Sequence, residues 1–251
     1  MRFREIDRHL REGLARYGRV EATLFDSPGT TIAPVEDRER TSRASAYLVG
    51  AHTIIYCDSA VADTVRLLAD PTSSLPPSEL RRWATGHGYE FEGGGWIHLV
   101  DASMMRPLEL PEGTTATVLD ADDPDDRALI ADLVDAVGPD DADEADVNLD
   151  NLDPFILALV DQQGRIGAYA SERPFEYGES FADIAVLTRP EMRAQGWGSA
   201  AVSTLCEQIF DRGRLPLYRC NWENSGSRRL ALSLGFVETV TLAAMHLHVR
   251  P

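Results

Sequence analysis

The chain has 251 residues, 43% of them hydrophobic, and a formal net charge of −17. That length and apolar content allow one large domain or two modest ones around a true core, and they exclude a disordered chain. The acidic balance argues against nucleic acid as a partner, because binding a phosphate backbone needs clustered positive charge.

No stretch approaches eighteen consecutive apolar residues, so no membrane span is expected. The N-terminal word Met1-Arg2-Phe3-Arg4-Glu5 runs into a charged amphipathic segment without the apolar centre of a signal peptide, which makes the cytoplasm the expected location. Cys57, Cys206 and Cys220 are far apart and form no CxxC pair. Neither a structural zinc nor a disulfide framework is expected, and each reads as a small buried hydrophobe. The chain contains no lysine, which excludes Schiff-base chemistry and a lysine phosphate loop. Charge is uneven: residues 120–153 hold 14 acidic side chains against the single Arg127, whereas residues 189–250 hold eight arginines against five acids. An anionic ligand is therefore expected to be tolerated in the last part and not in the middle.

In chain order, residues 7–17 predict a helix, with Leu10, Leu14 and Tyr17 on one stripe. Asp26-Ser27-Pro28-Gly29 predicts a turn, and residues 46–49 and 53–57 predict strands. Asp58-Ser59 can cap a helix carrying Val61, Val65 and Leu68, which Pro71 stops. A short helix near 78–84, a turn at Gly93-Gly94-Gly95 and a strand over 96–100 follow. These elements amount to a small α+β region of unassigned function over residues 1–112, with residues 107–113 as the linker. Beyond it the prediction is a strand at 114–119, a helix at 124–137, an acidic loop at 138–153 and a hairpin of 155–160 with 166–170. A strand at 181–188, a helix at 197–210, a strand at 215–220, a helix at 225–234 and one or two strands over 236–249 complete it.

The sharpest chemical signal is Arg193-Ala194-Gln195-Gly196-Trp197-Gly198, between a predicted strand and a predicted helix. A turn entering a helix leaves backbone N–H groups unpaired, and the helix dipole adds positive potential there. Glycines let a pyrophosphate approach the backbone. Taken alone, two glycines also suit a tight strand–helix junction, and the order is not the GxGxxG of dinucleotide folds.

Downstream, Asn224, Ser227 and the word Leu234-Gly235-Phe236 add a second motif at ungapped spacing. With the R/Q-x-x-G-x-G/A pattern of Arg193, Gly196 and Gly198, residues 181–236 resemble the core of the general-control-related N-acetyltransferase family, GNAT. Ile184-Ala185-Val186-Leu187-Thr188, with Pro216, Cys220, Asn224 and Ser227, resembles more closely the zwittermicin-resistance type, whose members often add an N-terminal region. The resemblance covers about half the chain. It implies an α+β, mixed-sheet acyl-CoA N-acyltransferase fold at 113–251, preceded by a smaller α/β domain at 1–112.

The resemblance also implies roles. The backbone of Arg193, Ala194, Gln195, Gly196, Trp197, Gly198 and Ser199 would hold the pyrophosphate of acetyl-CoA. Val186, Leu187 and Thr188, on a strand splayed from its parallel neighbour, would bond the pantetheine arm like an added strand. Asn224 and Ser227 would contact the cofactor, or serve as turn and cap residues. Asp183 stands where relatives often carry a glutamate base, either as the base, as a residue that binds the acceptor or as an edge residue; Glu172, Glu176 and Glu179 are weaker candidates. Ala231 stands where many relatives carry a tyrosine that protonates the thiolate, and Tyr218 is on a neighbouring strand. Arg228 and Arg229 read as a solvated helix face or as partners of the 3′-phosphate.

The function expected is acetyl-CoA-dependent N-acetylation of a small amine or peptide amine, by a monomer or homodimer with no metal. The alternatives are a CoA-binding protein without turnover, and an acyltransferase using a longer acyl-CoA or an alcohol.

Overall fold

The computed structural model describes residues 3–36, 43–67, 70–86 and 90–246. Contacts between Cα atoms divide the chain into two compact units. One comprises the chain up to Leu99, Arg219–Ser225 and the end from Glu238; the other comprises Val100–Tyr218 and Gly226–Val237.

The first unit opens with α1 (Phe3–Tyr17), whose Ile6, Leu10 and Leu14 recur every fourth residue and are fully buried. Strands β1 (Gly29–Val35), β2 (Arg43–Val49) and β3 (His52–Asp58) follow, then α2 (Ala62–Arg66), α3 (Pro77–Gly86) and β4 (Glu90–Leu99). β1, carrying Pro34, was not expected as a strand. It pairs in parallel with β3 at the sheet edge, where a residue without an N–H is tolerated. β3 pairs antiparallel with β2, which pairs antiparallel with β10 (Val237–His246). Ala44, Ala46, Ile55, Cys57, Val65, Ala243 and Met245 form a core against α2.

Two expectations in this unit are corrected. The helix α2 has no side-chain cap from Asp58 or Ser59, and Leu68 lies outside the described residues. Gly93-Gly94-Gly95 is not a turn but part of β4. The Trp222 ring lies over Gly94, where a Cβ would come within 2.5 Å of it, and a Cβ on Gly95 would meet the Cys220 carbonyl at 2.5 Å. The glycines allow that close approach rather than a chain reversal.

The second unit contains β5 (Thr115–Leu119), α4 (Pro124–Val137), α5 (Pro139–Glu144), β6 (Phe155–Val160), β7 (Ile166–Phe175) and β8 (Gly178–Thr188). α6 (Trp197–Asp211), the start of β9 (Leu215–Asn221) and most of α7 (Ser225–Ser233) complete it. β5 to β8 form an antiparallel meander, and β8 pairs in parallel with β9 from Phe181↔Leu215 to Ile184↔Tyr218, so the sheet is mixed. Asp123 caps α4 by accepting from the N–H groups of Asp125 and Asp126, with Pro124 at the first helical position. α4 sends Ile130 and Leu133 into a core with Ile156, Ala158, Tyr169, Ala185 and Leu187. The acidic stretch expected to be a loop contains α5, which turns off α4 at Gly138 (φ +86°). The final segment is one strand; residues 247–249 lie outside the described ones.

No described helix is long and apolar enough to cross a membrane. The three cysteines are free, and burial pushes the Cys57 thiol up to about 11, which makes it unreactive.

Candidate cofactor and active site

After β8 the chain makes a 3-10 turn (Pro190–Met192) and then residues 193–196 lead into α6. Ala194 and Gly196 both adopt positive φ, +59° and +86°, which turns the local backbone through left-handed conformations. Among the described residues, no protein acceptor is in hydrogen-bonding geometry with the N–H groups of residues 194–199. A Cβ on Gly196 would meet nothing within 4 Å, so that position faces open space. Unpaired donors, open space and the N-terminal end of a 15-residue helix make a seat for an anion.

Gly198 also permits a close approach of two elements. A Cβ there would lie 2.6 Å from Thr188 Oγ1 and 3.8 Å from Val186 Cγ2, so this glycine lets α6 pack directly on the end of β8. Trp197 is 8% exposed, and its ring packs where a Cβ on Gly167 of β7 would stand, 2.3 Å away. Its side chain anchors the turn to the sheet. Gly167 gave no sequence signal, because its partner is 30 residues away. The turn and the end of β8 are thus brought together: Arg193 Nε donates to the Thr188 carbonyl at 3.1 Å. Val186 and Thr188 face α6, whereas Leu187 faces the opposite core. Leu230 of α7 also approaches Gly198. Ser227 lies on that helix and Ser199 on the first turn of α6. Asn224 lies in the turn before α7 and groups with the other compact unit, where its N–H donates to the Asn221 carbonyl at 3.0 Å.

Asp183 is buried at 4% exposure, opposite Arg173 of β7 in the strand register. Glu172 is no longer a candidate base. It is buried and locked between Arg212 and Arg214, each 2.9 Å from a different carboxylate oxygen. Arg214 also donates to the Phe181 carbonyl at 2.6 Å, so the group ties the β7–β8 pair to the segment after α6. Glu176 and Glu179 are exposed. Tyr218 is buried with its ring 5.8 Å from that of Phe236. Ala231 is fully buried.

The acidic segment supplies partners to arginines further along the chain. Asp132 pairs with the buried Arg189, Asp141 pairs with Arg193 at 2.5 Å, and Asp146 and Asp153 both hold Arg173. Asp153 also accepts from Ser171 Oγ. Burial pushes the Asp153 carboxyl above the ordinary aspartate range, against the opposing pull of Ser171 and Arg173.

A family model described as an acetyltransferase (GNAT) domain matches residues 121–237. Among solved structures, a GCN5-related N-acetyltransferase from Sphaerobacter thermophilus aligns with a TM-score of 0.52 at 17% identity, over 69% of this chain and 57% of its own. A GCN5-related N-acetyltransferase-like protein from Streptococcus suis aligns with a TM-score of 0.51 at 15% identity, over 94% of this chain and 97% of its own. The second unit's strand–helix–helix–meander–helix order carries the GNAT fold. A GCN5-related N-acetyltransferase from Kribbella flavida is 22% identical over 66% of this chain and 62% of its own, with a TM-score of 0.49. The chain thus spans about three fifths of the Kribbella and Sphaerobacter proteins it matches. No curated protein matches it. In terms of the GNAT fold, the turn at residues 193–199 lies at the junction of β8 and α6, within the matched span.

Proposed function

We propose that the chain is an acetyl-CoA-dependent N-acetyltransferase acting on a small amine or a peptide amine. The observation that carries this reading is the row of unpaired N–H groups at residues 194–199, opening α6 beside the end of β8 within a GNAT fold. In this reading those groups hold the pyrophosphate, and Val186, Leu187 and Thr188 line the pantetheine arm where β8 parts from β9. Ser227, on α7 of the same unit, completes the cofactor's surroundings. The finer resemblance to the zwittermicin-resistance type rests on residues 184–188, Pro216, Cys220, Asn224 and Ser227 alone.

The reaction forms a bond between the amine nitrogen and the thioester carbonyl carbon and breaks the carbon–sulfur bond, releasing CoA thiolate. The amine must shed a proton, and Asp183 receives it directly or through one water. Ala231 supplies no proton to the leaving thiolate, which departs unprotonated; the thiolate is a stable enough anion for this. The second reading, a CoA-binding protein without turnover, is favoured by that same Ala231.

Two variants test the reading. Gly196→Asp adds a negative side chain in open space at a backbone conformation aspartate tolerates, so the protein should fold and lose CoA binding. Asp183→Asn should keep CoA binding and lower kcat by about 10²–10⁴-fold in a thiol-release assay over a panel of amines. Unchanged CoA affinity in Gly196→Asp would show that the phosphate seat lies elsewhere. CoA binding without thiol release from any amine would favour the binding protein.

A further inference from the structure

Arg193, the first residue of the turn, is already occupied. Its Nη2 donates to Asp141 Oδ2 at 2.5 Å and its Nε to the Thr188 carbonyl at 3.1 Å. Asp141 sits on α5, a six-residue helix whose residues include Asp140, Asp143 and Glu144. Both members of the pair are about half exposed, at 47% and 42% of their side-chain area.

Within α5 the one buried side chain is the small Ala142, and the helix leaves α4 through Gly138, whose φ is +86° and whose Cβ position faces open space; Ala145 and Val147, just beyond it, pack in the core with α4. A glycine in that conformation permits a change of direction with no side chain to obstruct it. Among α5's own side chains, a tilt about Gly138 would uncover Ala142. By contrast the turn itself is anchored by Trp197 against Gly167 and by the α6–β8 contact at Gly198.

A pyrophosphate seated on the N–H groups of residues 194–199 would lie within one turn of Arg193. The Arg193 guanidinium would then have two anionic partners to choose from, and Asp141 would face like charge at short range. We propose that α5 is a built-in latch on the phosphate turn: Asp141 occupies Arg193 in the empty protein, and the cofactor's phosphates displace it, freeing α5. This inference rests on the phosphate seat proposed above. The latch lowers cofactor affinity by the strength of one half-exposed ion pair, and it makes the position of α5 report cofactor occupancy.

The test is calorimetric titration of CoA into the full chain and its variants. Asp141→Asn removes the competitor and should tighten binding about 2–5-fold, the range that a partly exposed pair supports. Asp143→Asn removes the same charge from the same helix at an exposed position that makes no contact with Arg193, and should change affinity by less than about half of that. In an Arg193→Gln background the Asp141→Asn effect should shrink to the size of the Asp143→Asn effect. Amide exchange at residues 139–147 should quicken on adding CoA to the wild type. Weaker binding by Asp141→Asn would overturn the latch, because Asp141 would then be orienting Arg193 for the cofactor. Equal effects of Asp141→Asn and Asp143→Asn would overturn it as well, leaving only general charge. A wild type that binds no CoA would overturn the phosphate seat and the latch together.

Discussion

Gly198→Ala sets two opposing effects against each other. An alanine inside a helix is favoured over glycine by about 1 kcal/mol. Here the added Cβ would come within 2.6 Å of Thr188 Oγ1, with Leu230 Cδ1 at 3.5 Å and Val186 Cγ2 at 3.8 Å. Thr188 is β-branched and restricted at χ1, so relief of the contact is expected to lift α6 from β8. Overpacking of this kind costs about 1–3 kcal/mol, so the steric effect wins and the variant should be destabilised by about 1–2 kcal/mol. Removing the obstacle reverses the sign: with Thr188→Ala already present, Gly198→Ala should be neutral or stabilising by up to about 1 kcal/mol. Gly196→Ala is the control. It meets nothing within 4 Å but sits at φ +86°, so it should cost about 1–2 kcal/mol whether or not Thr188 is replaced. Urea unfolding of the four combinations at each glycine measures the coupling, and CoA titration follows the turn, whose affinity should fall in Gly198→Ala and recover in the double variant. An equal loss of stability from Gly198→Ala in both backgrounds would refute the close-approach argument.

Glu172→Gln leaves Arg212 and Arg214 without their carboxylate and should cost about 1–3 kcal/mol in urea unfolding, while thiol release by the remaining folded protein stays unchanged. Ala231→Tyr puts a ring into a fully buried site and should destabilise by more than about 2 kcal/mol without raising turnover; a stable, faster variant would show room for a phenol. Asp153 gives a pH signature. Its folded carboxyl holds its proton more tightly than the ordinary aspartate value of 3.8, so the stability it contributes is full below that value and is lost as pH rises through the raised folded value. Asp153→Asn should therefore gain relative to the wild type as pH rises above about 4, and parallel pH dependences for the two proteins would refute this.

Much of the second unit was legible in the sequence because its signals are local. The Asp123-Pro124 start of α4, the β-branched and apolar run of β8, and the Arg193–Gly198 turn each act on residues within a few positions of themselves. The turn's open N–H groups follow from its chain position ahead of a helix, so a candidate phosphate seat could be placed without coordinates.

What escaped the sequence depends on partners far along the chain. No strand was expected where β1 pairs with β3 at an edge, and three successive glycines suggested a turn until Trp222 was seen to lie over Gly94. Glu172 was a candidate base until Arg212 and Arg214 were found on both of its oxygens. The acidic segment's sign was plain from composition, but not its target. Asp132, Asp141, Asp146 and Asp153 find arginines 20 to 57 residues away, and no local pattern marks those pairings. Local sequence sets which backbone groups are left open and which charges are present; only the tertiary contacts decide which of those charges already have a partner.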